Sequence, residues 1–362
     1  MHDVVELKRY VEVHARGQRI QGYRDILGRI GSDEGDGPGT WVAEWSRAGE
    51  DLAREGRPLE ASRHFAMARF PYVDGPGRHR ALERCAQTLE EWQRERAPEL
   101  ERLDVVLPGG RVRCWSTGLS TTRRLPLVLI MGGIVTVKEQ WVPALVRLRR
   151  LGLAAVVTEM PGVGENTLPY DAKSWRMLSG ILDTVADRAR VERTYAMALS
   201  FSGHMALRCA LDDARLRGVV TVGAPVHDFF TDARWQARVP RITVDTLARL
   251  TDGTPRHVLG HMADFALGDE QLAALEIPVH YTASLRDEII PGSETRRLRD
   301  HVRALTLLEH DDVHGAPRHT AETQLWCVRS LLRMEQPRGP RAAVLDLMWR
   351  AARARRRLAP RS

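Results

Sequence analysis

Tyr195-Ala196-Met197-Ala198-Leu199-Ser200-Phe201-Ser202-Gly203-His204-Met205-Ala206 is the stretch that decides how this chain folds. An apolar run of strand length ends at Ser200, and an amphipathic helical pattern begins at once after it. Small residues stand two positions before the serine (Ala198) and two after it (Ser202), with Gly203 next. A serine on a sharp strand-to-helix turn needs such neighbours, because the two backbones approach closely there. The turn lifts the hydroxyl above the sheet and aims the first helical N–H, that of Phe201, at an oxyanion. Ala198 and Ser202 replace both glycines of the strict G-x-S-x-G pattern, and a serine that merely caps a helix is the competing reading. Ser202 is the weaker nucleophile, because its own flanks are Ser200 and the bulky His204.

A nucleophilic serine needs a base, and the base needs an acid to orient it. Ile277-Pro278-Val279-His280-Tyr281-Thr282-Ala283 reads as a strand, and Asp287 lies in the loop that follows, ahead of Ile289-Ile290-Pro291. After the last apolar run comes Glu309-His310-Asp311-Asp312-Val313-His314-Gly315. Ser200 as nucleophile, Asp287 as acid and His314 as base follow one of the chain orders in which such triads occur. His310 and His319 are the alternative bases; His314 is preferred for its place after the last strand and just before a helix. A second oxyanion donor is expected in Met131-Gly132-Gly133-Ile134, where glycines let backbone approach the substrate oxygen. Gly133 is the first choice and Ile134 the next.

Around these residues the periodicity predicts a doubly wound, mostly parallel α/β sheet. Residues 1–100 read as helical, with Leu82, Cys85, Leu89 and Trp92 at helical spacing and a helix pair broken at Gly56-Arg57-Pro58. The pattern changes near residue 102, where a hairpin turns at Pro108-Gly109-Gly110. Short apolar runs at 126–131, 153–159, 194–199, 218–222, 279–283 and 304–308 then alternate with helix-length segments, as buried parallel strands do. The expected organisation is a helical N-terminal region (1–100), a core (101–335) with a strandless helical lid insertion at about 226–272, and a basic C-terminal helix (336–362). Helices of the N-terminal region and the lid have apolar faces to bury. They are expected to roof the carboxyl ends of the strands, with Trp41, Phe65, Phe70 and Trp235 as candidates for lining that roof.

Bulk properties narrow the function. The chain of 362 residues carries a formal net charge of +7, part of it crowded at Arg350, Arg353, Arg355, Arg356 and Arg357. No nucleic-acid fold signature accompanies the charge, so nucleic-acid binding is not expected. The basic tail is read as a helix docking on the body of the protein, and no membrane partner is expected. No apolar run is long enough to span a bilayer, and the N-terminus lacks signal-peptide order, so a cytoplasmic location is expected. Cys85, Cys114, Cys209 and Cys327 are far apart with no ligand spacing, and are read as reduced buried thiols; no metal and no cofactor are expected.

With these pieces in hand the chain resembles the FrsA-like, yellowish-green-1-like branch of the α/β hydrolases, which includes 2,6-dihydroxypseudooxynicotine hydrolases. The matching residues are Gly132-Gly133 with Lys138-Glu139, Pro161-Gly162-Val163-Gly164-Glu165, Ser200-Phe201-Ser202-Gly203, Asp287-Glu288 and His314. The chain departs from the branch at Ser202, usually glycine, and in His314-Gly315-Ala316-Pro317, which lacks a second histidine and asparagine. The resemblance implies an α/β-hydrolase fold and hydrolysis of an ester, or of a ketone-flanked carbon–carbon bond, in an aromatic or polyketide substrate. The residues alone imply acyl transfer to water, with a thioester as a further substrate class. Acyl transfer to another acceptor, or a non-hydrolytic cyclisation, is the alternative on the same fold.

Pro161–Glu165 lacks the Lys-Ser/Thr of a phosphate loop and is read as the turn after the strand ending at Glu159. Lys138 and Glu139 are read as the start of a helix, with a mutual pairing at the surface as the competing reading, and Glu139 is a candidate substrate contact. His227 and Asp232, after the strand that ends in Val222-Gly223-Ala224-Pro225, are further candidates for touching substrate. The expected partners are a small-molecule substrate and, among the assemblies left open, a second copy of the chain.

Overall fold

The computed structural model describes residues 2–358, with the side chains of 355–358 outside the description. Eight strands form one sheet: β1 (Glu101–Leu107), β2 (Gly110–Thr117), β3 (Pro126–Met131), β4 (Ala154–Thr158), β5 (Arg190–Ala198), β6 (Leu216–Val222), β7 (Val279–Ser284) and β8 (Leu305–His310). Their order is β1-β2-β4-β3-β5-β6-β7-β8. β1 and β2 pair antiparallel, as do β2 and β4, whereas β5–β6, β6–β7 and β7–β8 are parallel. Every residue of β3 and β4 is buried, which is why their sequences are continuous apolar runs. β8 ends the sheet order, and its Thr306 and Glu309 are exposed.

The chain divides into two compact units. One comprises Met1–Gly118, Met131–Ser174 and Pro240–Leu259; the other comprises Leu119–Ile130, Trp175–Val239 and Gly260–Ser362.

The first unit opens with five helices, α1 (Val4–Gly17), α2 (Tyr23–Arg29), α3 (Trp41–Arg54), α4 (Pro58–Arg69) and α5 (Pro76–Arg96). The Asp3 carboxylate caps α1 by accepting the amide hydrogens of Val5 and Glu6. Gly56, at φ +73°, and Pro58 in the first turn of α4 separate α3 from α4. Trp41, Phe65 and Phe70, the candidates for lining a roof, pack in the interior of this helical layer with Trp45. The Trp41 indole donates to the Met67 carbonyl at 2.9 Å and its ring lies 6.2 Å from that of Phe70. Their large apolar surfaces are spent on holding the helices together. Pro108 and Gly109, the latter at φ +92°, form the tight turn between β1 and β2, a place where glycine is required. α6 (Val142–Arg150) precedes β4.

In the second unit, α7 (Arg176–Thr184) leads into β5 and α8 (Phe201–Asp212) connects β5 to β6. Residues 226–272 contain α9 (Asp228–Thr231), α10 (Ala233–Gln236), α11 (Arg241–Leu250) and α12 (Asp269–Ala273) and no strand; α11 belongs to the first unit. α13 (Gly292–His301) joins β7 to β8, and α14 (Thr320–Glu335) and α15 (Pro340–Leu358) close the chain. α15 docks on α14: Asp346 accepts from Arg329 and Arg333, and the Arg329 and Arg353 guanidiniums lie over the Trp349 ring at 5.1 and 5.2 Å. Val344, Leu347 and Met348 face outward from α15, and the side chains of Arg355, Arg356 and Arg357 lie outside the described residues. No helix among the described residues is long and apolar enough to cross a membrane.

Candidate active site

Ser200 stands between β5 and α8 with φ +59° and ψ −130°, a backbone conformation that costs a residue with a Cβ on the order of 1–3 kcal/mol. Neighbouring bonds hold it there. The Ser200 N–H donates to Val222 O at 2.9 Å, and its carbonyl accepts from the Gly203 N–H at 2.8 Å. α8 presses closely on β6 at this point, since a Cβ at Gly203 would lie 2.0 Å from Thr221 Oγ1 and 2.8 Å from Ala224 Cβ. The crowding that the sequence signalled by small residues is thus relieved at Gly203. Ser202 is wholly buried and its hydroxyl donates to Leu199 O at 2.9 Å, bracing the turn from beneath. Phe201 opens α8, so its N–H belongs to the first-turn amides that a helix leaves without intrahelical acceptors.

Three side chains from three post-strand loops meet above this turn. Ser200 Oγ lies 3.2 Å from His314 Nε2. His314 Nδ1 lies 2.9 Å from Asp287 Oδ2 and 3.0 Å from Oδ1. A ring nitrogen facing a carboxylate carries the hydrogen, which leaves the Nε2 lone pair for the serine hydroxyl. Asp287 Oδ1 also accepts the amide hydrogens of Ile289 and Ile290 at 2.9 and 2.8 Å. Gly223, at φ +59°, makes room for the pair: a Cβ there would lie 3.0 Å from His314 Cε1 and 3.4 Å from Asp287 Oδ2. Burial alone would depress the His314 imidazole. The Asp287 charge, its hydrogen bond and the Glu288 charge outweigh burial and hold the pKa above the ordinary 6.5.

The other histidines of this region are bound elsewhere. His310 Nε2 lies 3.1 Å from Thr323 Oγ1, and its ring stacks on His319 at 4.0 Å. His319 Nδ1 lies 3.0 Å from Asp312 Oδ2, which also accepts the Arg318 amide. His227 faces Leu267 O through Nδ1 at 3.0 Å, and its amide donates to Glu294. Asp232 is exposed and caps α10, accepting from the amides of Arg234 and Trp235.

Gly133, Ile134 and Glu139 belong to the first unit. The Gly133 carbonyl accepts from the Thr136 amide at 3.1 Å, and Ile134 is buried. The crowded glycine of the pair is Gly132, where a Cβ would lie 2.6 Å from Thr136 Cβ. Lys138 and Glu139 form no surface pair: Lys138 is fully buried and Glu139 nearly so. Lys138 Nζ contacts Glu139 Oε1 at 2.8 Å, Glu159 Oε1 at 3.2 Å and Glu165 Oε2 at 2.6 Å. Desolvation of an ammonium this deep is tolerable only because three carboxylates surround it. The loop through Pro161–Glu165 wraps the Glu159 carboxylate, and Gly164, at φ +59°, is needed because a Cβ would lie 2.3 Å from Glu159 Oε2. Burial pushes Glu159 upward against the pull of Lys138. Glu165 is also disfavoured by burial, but Lys138, Arg113 and Arg102 bring it down to about 2. Position immediately after an apolar strand was the signal that could have marked Glu159. Gly223 and Glu294 had no local signal, and Trp235 stood out only as a roof candidate, because their partners are distant in sequence.

A family model described as "Esterase FrsA-like" matches residues 35–272, a span that holds Ser200 but ends before Asp287 and His314. Esterase FrsA of Photobacterium profundum is 24% identical over 237 residues, covering 58% of this chain and 55% of that protein. Esterase FrsA of Pectobacterium atrosepticum is 25% identical over 278 residues, covering 64% of each. The chain spans little more than half the length of the first of these curated relatives. The solved structure of wild-type AbyA5 superposes with a TM-score of 0.92 at 51% identity, covering 98% of this chain and 99% of that one. The 2,6-dihydroxy-pseudo-oxynicotine hydrolase superposes with a TM-score of 0.68 at 17% identity over 93% and 94% of the two chains, a likeness of fold. The chain belongs to the FrsA-like esterase family and has the α/β-hydrolase fold.

Proposed function

We propose that this chain is a serine hydrolase in which Ser200, His314 and Asp287 act as nucleophile, base and orienting acid. The observation that carries the reading is the strained Ser200 backbone with its hydroxyl 3.2 Å from an imidazole that is itself held by a carboxylate. Ser200 Oγ attacks the substrate carbonyl carbon while its proton passes to His314 Nε2. His314 then gives that proton to the departing alkoxide, thiolate or enolate, leaving an acyl-serine. Water adds to the acyl carbon with His314 as base again, Ser200 regains its proton, and a carboxylic acid leaves. Asp287 keeps the Nδ1–H tautomer and stabilises the imidazolium. The Phe201 N–H receives the oxyanion. The substrate class is an ester or thioester, or a ketone-flanked carbon–carbon bond in an aromatic or polyketide-like molecule.

A fluorophosphonate probe read by intact mass tests the reading. Wild type should gain one adduct and Ser200→Ala none. An adduct that persists in Ser200→Ala and vanishes in Ser202→Ala would overturn the assignment. Turnover of matched oxygen-ester, thioester and β-diketone substrates then separates the substrate classes.

A further inference from the structure

Behind Asp287 the second unit holds a hydrogen-bond relay that reaches α10. The indole Nε1–H of Trp235 donates to the Ile289 carbonyl at 2.8 Å. That carbonyl belongs to the same peptide plane as the Ile290 N–H, which donates to Asp287 Oδ1 at 2.8 Å. A trans peptide is rigid and places its C=O and N–H on opposite sides, so gripping the oxygen aims the hydrogen. A donor on the oxygen also polarises the amide and strengthens the bond its N–H makes. From there the relay continues through Asp287 to His314 at 2.9 Å and from His314 to Ser200 at 3.2 Å.

Trp235 is itself fixed from several directions. Asp232 caps the short α10 and accepts the Trp235 amide hydrogen, and the Arg238 guanidinium lies 5.4 Å from the Trp235 ring centroid. The segment leading to α10 is tied back to the acid's own side of the fold. Glu294, fully buried in the first turn of α13, accepts the amide hydrogens of Val226, His227 and Phe229, each at 3.0 Å. The two loops therefore brace each other: α13 grips residues 226–229 through Glu294, and α10 grips residue 289 through Trp235. A buried carboxylate with this many amide donors leaves its backbone partners little freedom.

We propose that Trp235 is a positioning residue for Asp287: its indole N–H, by holding the Ile289–Ile290 peptide, keeps the carboxylate aligned on His314. The inference rests on the proposed reading of Ser200, His314 and Asp287. A satisfied indole that serves only packing is the competing account, and the two differ in what they do to the histidine.

Trp235→Phe keeps an aromatic ring and removes the N–H. Ester turnover and the rate of fluorophosphonate labelling are followed against pH, beside the thermal midpoint. The expected result is a fall in kcat and labelling rate of about three- to tenfold with KM little changed. The acidic limb of the profile should also move to lower pH, because a less well-held Asp287 supports the imidazolium less. Replacement of Trp235 by 3-benzothienylalanine, a bicycle with sulfur in place of the N–H, should reproduce both changes with the packing kept. Asp232→Ala, which loosens α10 but spares the N–H, should give a smaller shift in the same direction. An unmoved limb in the benzothienyl variant, or a rate loss that merely follows the folded fraction, would overturn the proposal. Failure of wild type to label on Ser200 would instead overturn the proposed function.

Discussion

At the scale of single residues the site combines a strained serine, a carboxylate fixed by two amides and a histidine between them. The raised His314 pKa sets a direction for pH. As the proposed base, His314 must be neutral, so turnover should rise with pH through a midpoint above 6.5, and Asp287→Asn should move that midpoint down as well as reducing kcat. The charges that raise the imidazole are Asp287, on its Nδ1, and Glu288, which accepts the His314 amide hydrogen, so Glu288→Gln should lower the midpoint by less than Asp287→Asn. A profile measured by labelling rate checks this; a midpoint below 6.5 in wild type would contradict it. The same raised pKa means that protonated His314 favours the folded state below the unfolded-state pKa, an advantage lost as pH rises through the folded value. The positions of Ser200, Asp287 and His314, which the structure brings together, were legible because each follows an apolar run. What fixes them was not: Gly223, Trp235 and Glu294 act on partners far away in sequence, and no local pattern records such contacts.

At the scale of elements, hydrophobic periodicity located the strands well, because β3 and β4 are covered on both faces and leave continuous apolar runs. It misjudged Lys138 and Glu139, since a Lys-Glu pair looks the same in sequence at a surface and in an interior. The structure buries the ammonium among Glu139, Glu159 and Glu165 and places it between the end of β3 and the loop after β4. Removing the cation alone leaves three carboxylates in need of charge. Lys138→Met should therefore cost about 3–5 kcal/mol, read as a lowered urea midpoint, although the side-chain volumes are similar. Replacing Arg102, the more exposed partner of Glu165, with Met should cost under about 1 kcal/mol by the same measurement. Equal losses in the two variants would show that packing, and not the charge, decides the effect.

At the scale of the whole molecule, the fold class and the strand sequence were legible, whereas the division into compact units was not. Composition and periodicity change along the chain, but the first unit gathers three separated segments, including Pro240–Leu259 from the middle of the helical insertion. Only long-range packing defines such a grouping. The place of β8 at the end of the sheet order has a consequence for how the enzyme fails. Among the described residues the strand pairs with β7 alone, its Thr306 and Glu309 are open to solvent, and His314 hangs from the loop just beyond it. Edge elements open more cheaply than central ones, so fraying of β8 carries His314 away while β5 still presents Ser200. Inactivation should then precede unfolding: in rising urea, labelling of Ser200 is lost before tryptophan fluorescence and circular dichroism report the cooperative transition. Amide hydrogen exchange should find β8 the least protected of the parallel strands β5–β8. The working life of the catalyst would be set by its rim and not by its core.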